Sequence, residues 1–143
     1  MSGIKVTIDE KLDVTINTAE GRLVVKDIED RIEAFYNGKV TKHVIWDFSG
    51  VELKLSSMDV KRIAIKTSSY GRLRAGGFNA LVVKKELEAG LTRMYAMYSE
   101  LEKTKQKNMV FHCYEDALQW IISGDKTPAG ADSVHNHNAG SAV

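Results

Sequence analysis

The sequence predicts a single α/β domain built on a mixed β-sheet, with the element order β-β-α-β-α-β-α-β-α. Three observations carry this reading. The chain opens with apolar and polar side chains alternating at period two, the mark of half-buried antiparallel strands. It then switches repeatedly between helical periodicity and short, nearly continuous apolar runs, the mark of βαβ units with parallel strands and right-handed crossovers. Its 143 residues suit one domain.

The elements follow in order. Ile4, Val6 and Ile8 alternate with Lys5 and Thr7, and Leu12, Val14 and Ile16 alternate with Asp13 and Thr15. This predicts a hairpin with one wet face, turning at Asp9, Glu10 and Lys11, its second arm continuing toward Leu23. Ile28, Ile32 and Phe35 share one face of a helix over 25–37, with Asp27, Glu29 and Asp30 near the positive end of its dipole. Asn37 and Gly38 suit a left-handed helix stop. Residues 43–49 form an apolar run fit for a central strand covered on both faces.

Ser56 and Asp59 have the spacing of a capping box, opening a helix that runs to about Tyr70 and ends at Gly71, with Met58, Ile63 and Ile65 apolar. Residues 76–83 read as another buried strand. Residues 84–102 are the longest helical pattern, with Leu87, Leu91, Met94, Tyr95, Tyr98 and Leu101 apolar. A short strand over 108–113 and a helix over 114–122, with Ala117, Leu118 and Ile121 on one side, close the domain.

Composition narrows the function classes. Hydrophobic residues make up 43% and charged residues 27%, enough for a core without staples. Twenty Lys and Arg against nineteen Asp and Glu leave a charge of +1, which argues against a dedicated nucleic-acid binder. The lone Cys113 excludes an internal disulfide and fits a reducing cytoplasm. No apolar run approaches the roughly 18 residues of a membrane span, so we expect no membrane span. Residues 125–143 hold the only proline and many small polar residues, and read as a disordered tail beyond a domain over 1–124.

Three short motifs stand in a particular order. Ile45-Trp46-Asp47 ends an apolar strand, and Gly90-Leu91-Thr92-Arg93-Met94-Tyr95 lies inside the long helix. Glu115-Asp116-Ala117-Leu118-Gln119-Trp120 lies in the last one. Together with the element order, they resemble the STAS-like family of small stand-alone bacterial proteins, relatives of anti-sigma-factor antagonists, over residues 3–123. The resemblance implies a cytoplasmic, non-enzymatic binding or regulatory module acting by protein–protein contact. The alternative to this leading reading is a binder of a small apolar or anionic ligand in a pocket between sheet and helices. In the antagonists, the second serine of a pair at a helix start is phosphorylated. The pair aligns with Ser56 and Ser57, but Leu55 and Met58 stand where those proteins have Asp and Gly. That departure argues for capping rather than a phosphoswitch.

Beside the serine pair, four further features are candidate ligand or partner contacts. Lys84 and Lys85, at a strand end and helix start, have the charge to gather an anion, though no glycine-rich phosphate loop accompanies them. Arg93 suits a carboxylate or a structural pairing with Glu86, Glu100 or Asp47. Met97 and Tyr98 widen the apolar stripe of the long helix toward a second copy of the chain, so a homodimer through that helix is expected. Lys61, Arg62, Lys66, Arg72 and Arg74 read as a solvated basic face. His112 and Cys113, adjacent in a strand, point to opposite faces and make no catalytic pair. His135 and His137 alone make no metal site. We therefore expect no catalytic residue, no metal and no cofactor.

Deleting residues 126–143, which lack apolar anchors, is expected to change the melting temperature by less than about 4 °C, the equivalent of roughly 1 kcal/mol for a domain this size.

Overall fold

The computed structural model describes residues 2–124, and the expected tail over 125–143 lies outside them. Strands β1 (Gly3–Asp9), β2 (Val14–Val24), β3 (His43–Lys54), β4 (Phe78–Val82) and β5 (Lys107–Phe111) form one sheet in sequential order. β1 pairs antiparallel with β2, and every later pair is parallel. Helices α1 (Val25–Asn37), α2 (Ser57–Ser68) and α3 (Glu86–Leu101) are the three crossovers, and α4 (Tyr114–Ser123) follows β5. The expected mixed sheet and element order are therefore present, with a 3-10 turn at Gly71–Arg74 added.

Sequential strands joined by right-handed crossovers put all three crossover helices on one face. That face holds the larger core, which includes Ile28 and Ile32 of α1, Val60 and Ile63 of α2, and Leu91 and Ala96 of α3. The other face is left to α4, whose Trp120 stacks on Phe78 at 4.4 Å between ring centroids. α2 packs mainly on α3 and α1 rather than on any strand.

The helical spacing of Ile28, Ile32 and Phe35 does bury those three side chains. The Ser56 box closes as expected. Ser56 Oγ accepts the Asp59 N–H at 3.1 Å, and Asp59 Oδ2 accepts the Ser56 N–H at 2.9 Å.

Several expectations are corrected. The hairpin has no simple wet face: Thr15 and Asn17 are fully buried, while Val6 and Ile8 are about two-fifths exposed. β2 lies inside the sheet, with α1 packed against it, whereas β1 is an edge strand. Thr15 satisfies its hydroxyl on Thr41 at 2.8 Å. The turn is longer than three residues and is held by Asp9 Oδ1, which accepts the Lys11 and Leu12 N–H groups. Gly38 is not left-handed (φ −112°), and its N–H simply bonds the Phe35 carbonyl.

In α2, Met58 and Ile65 are exposed, and the buried positions are Val60, Ile63 and Ala64. In α3, Leu87 and Leu101 are exposed, because the face toward the sheet is instead Glu88, Ala89, Leu91, Thr92, Ala96 and Ser99. β5 ends at Phe111, so His112 and Cys113 lie outside it, and Cys113 is the residue preceding α4. Arg74 is not part of a solvated face. It is 5% exposed and clamps backbone carbonyls.

Gly77 sits where the chain enters β4. A Cβ there would overlap the Lys42 carbonyl oxygen and crowd that of Arg74. Gly77→Ala must therefore push two backbone segments apart. It is expected to cost more than about 2 kcal/mol by denaturant unfolding, since this overlap has no flexible side chain to absorb it.

Candidate functional site

Beneath α2, the larger core does not close. A cavity of about 60 Å³ lies there, within a void of about 500 Å³ that includes space open to solvent. Each surrounding element contributes by its own periodicity. Trp46, Phe48 and Leu53 stand on the helix-facing side of β3, with Leu81 beside them on β4. Ile28 and Ile32 come from α1, Val60, Ile63 and Thr67 from α2, and Leu91, Thr92 and Tyr95 from α3. The wall is almost wholly apolar. Trp46, in the middle of the central strand and beneath three helices, is nonetheless only half-buried.

A smaller, more polar cavity of about 30 Å³ adjoins the first and shares Ile32, Trp46, Thr67 and Tyr95 with it. The Tyr95 hydroxyl bonds Thr67 Oγ1 at 3.1 Å on this shared wall, and burial raises the tyrosine's pKa. Beyond it lie Asn17, Tyr36, Arg74, Asn79 and Gln106. Asn79 and Asn108 sit near the amino ends of adjacent parallel strands, Asn79 Nδ2 donating to Asn108 Oδ1 at 3.1 Å. Asn17 Oδ1 is buried with no partner.

Arg74 is the charge of this region. Its Nε donates to the Thr41 and Lys42 carbonyls, and its Nη2 to Lys42 O, Phe78 O and Asn79 Oδ1, the last at 2.8 Å. Its Nη1 has one long contact, 3.5 Å to the Tyr36 hydroxyl. These partners are neutral oxygens, joined by the Phe35 ring 5.6 Å from the guanidinium carbon. A buried cation satisfied only by dipoles is costly unless an anion or water joins it. Next to it, burial first and then the charges of Lys42 and Arg74 lower the pKa of His43, whose Nδ1 accepts the Phe78 N–H at 3.0 Å.

None of the seven candidate residues lines either cavity. Ser56 caps α2, and Ser57 is its exposed first residue. Lys84 and Lys85 are exposed in the β4–α3 connection. Arg93 is half-buried on α3. Met97 is 51% exposed, while Tyr98 packs against the larger core, so these two neighbours serve different faces. The residues that do form the site carried a sequence signal of another kind. Asn79 and Asn108 are polar residues within otherwise apolar strand runs, and Arg74 precedes two glycines. Among the described residues, no three of His, Cys, Asp and Glu gather as a metal site. No helix among them is long and apolar enough to cross a membrane.

The fold has a solved counterpart. An uncharacterized protein from the DUF3478 family of Shewanella loihica PV-4, with a SpoIIAA-like fold, superposes with a TM-score of 0.55 at 22% identity. The match covers 85% of this chain and 95% of that one. This chain therefore has a SpoIIAA-like fold, the STAS-like architecture expected from its motifs. No protein-family profile matches the chain, and no curated protein does.

The serine pair separates cleanly by substitution. Ser56→Ala removes the acceptor of the Asp59 N–H and is expected to cost about 0.5–2 kcal/mol. Ser57→Ala should leave the denaturation midpoint essentially unchanged.

Proposed function

We propose that this protein is a non-enzymatic binder of a small, largely apolar molecule, held between the sheet and the helices α1, α2 and α3. The observation that carries this reading is the unfilled apolar cavity on the helix-covered face, with Trp46 half-buried at its floor. Natural cores are packed to near-crystalline density with few voids larger than a water molecule, so an apolar cavity of about 60 Å³ on the helix-covered face is a departure that needs a reason. Ligand sites have this character, mostly apolar with a few convergent polar groups. The polar groups here are Thr67 and Tyr95, with Arg74, Asn17 and Tyr36 one step beyond. The ligand class this favours is an apolar body with one polar or anionic end. The single thiol, Cys113, fits a cytoplasmic setting.

A second reading, regulation by contact with another protein, draws on exposed apolar side chains of α2 and α3, among them Met58, Ile65, Leu87 and Leu101. We do not make Ser57 a phosphoswitch in either reading. A phosphate there would stand two residues from the Asp59 carboxylate that completes the cap.

Straight-chain alcohols of increasing length are the probes for the main reading. Binding to the folded state alone raises stability, by about 2.7 kcal/mol at a hundredfold excess over Kd. The expected result is a saturable rise in melting temperature together with a change in Trp46 fluorescence. Val60→Phe, which fills the cavity from α2, should abolish both while the protein stays folded. A melting temperature indifferent to every alcohol would refute the reading.

A further inference from the structure

α3 carries a second apolar face, turned away from the sheet. Leu87, Gly90, Met94, Met97 and Leu101 follow one another at intervals of three, four, three and four residues, the spacing of a two-helix seam. Leu87, Met97 and Leu101 are 66%, 51% and 75% exposed, Gly90 is exposed and Met94 half-buried. Met94 also packs against the larger core, but Leu87, Met97 and Leu101 lie outside the buried face that α3 turns to the sheet.

We propose that this seam is a two-fold interface with a second copy of this chain, the two α3 helices running antiparallel. Size and charge both select that occupant. With Met94 of each copy facing Met97 of the other, Gly90 of each faces Leu101 of the other. A Cβ at Gly90 would meet nothing within 4 Å, so the space over it is open to a large side chain. The flank of the seam carries Glu86, Arg93 and Glu100, one charge per heptad with alternating sign. The same register sets each Arg93 beside Glu100 of the other copy, twice by symmetry. A slip of one heptad sets Arg93 beside Arg93 and Glu86 beside Glu100, which repels. Charge order thus fixes the register, as flanking charges do in paired helices. A lipid surface would favour a basic flank, and this one has two acids to one base. One helix pair buries less than the ~800 Å² per partner of a standard interface, so the dimer is a concentration-dependent one.

Sedimentation equilibrium of the full chain, from about 10 µM to about 500 µM, spans the range in which so small an interface fills. The unaltered chain is expected to pass from monomer to dimer. Met97→Glu and Gly90→Leu should each remain monomeric with a melting temperature close to that of the parent. Glu100→Arg should weaken the dimer at least tenfold, and adding Arg93→Glu should restore it, a pair of changes that leaves the apolar seam untouched. A parent chain monomeric throughout overturns the proposal, whether or not it floats with phosphatidylglycerol vesicles. So does a dimer indifferent to Met97→Glu and Gly90→Leu, or a charge reversal with no rescue.

Discussion

The handedness of the crossovers governs this molecule. Four parallel-paired strands in sequential order, β2 to β5, commit α1, α2 and α3 to the same face. Strands lie about 4.8 Å apart, while packed helices need 8–10 Å. Three helices therefore cannot all settle on four strands. The structure resolves the conflict by letting α2 ride on α1 and α3. Its apolar side chains Val60 and Ile63 reach down toward Trp46, Phe48 and Leu81 without filling the gap. The cavity is thus a consequence of topology, and its apolar lining follows because every surrounding surface faces inward. The other face has only α4 to cover it, and large rings do that work. Trp120 lies against Phe78 and Phe111, with 1% of its surface exposed.

The polar end of the same face follows from a different demand. The chain must cross from α2 back to the start of β4, and it does so through Gly71–Arg74 and the close approach at Gly77. Arg74 ties that crossing to the β3 entry through the carbonyls of Thr41 and Lys42, and Gln106 ties it to β5 through the carbonyls of Gly71 and Arg74. Arginine suits the task because its planar fork reaches several acceptors at once and stays charged when buried. The same geometry leaves Nη1 at the edge of the smaller cavity with one long contact. A residue that holds the fold together thereby presents donors beside an apolar chamber.

The sequence made the elements legible because periodicity reports which residues share a face. The bounds of α1 and the Ser56–Asp59 cap followed directly from spacing and side-chain type. Periodicity does not report what a face meets. Leu87 and Leu101 are as apolar as Leu91, yet the sheet lies under Leu91 alone. Thr15 read as part of a wet face because its polarity is visible, whereas the Thr41 hydroxyl that satisfies it comes from a loop 26 residues later. Arg74 read as solvated for the same reason: its partners are the carbonyls of residues 41, 42 and 78, and carbonyls carry no sequence signature. The cavity was least legible of all. A void is a mismatch between packed elements, and no residue encodes it.

Two glycines make the final distinction between what the chain needs for itself and what it does not. Glycine costs roughly 0.5–1 kcal/mol relative to alanine in a helix interior, so a glycine there calls for a compensating reason. Gly77, outside any helix and just before β4, is required within the chain, since the Lys42 carbonyl oxygen occupies the place of its missing side chain. Gly90 lies inside α3, away from both ends, and its absent Cβ would meet only open space. No packing inside the described residues is relieved by it. The benefit of a missing side chain at Gly90 is then to a surface that approaches α3 from outside, at the one place along the helix where Leu87 and Met94 leave a gap between them.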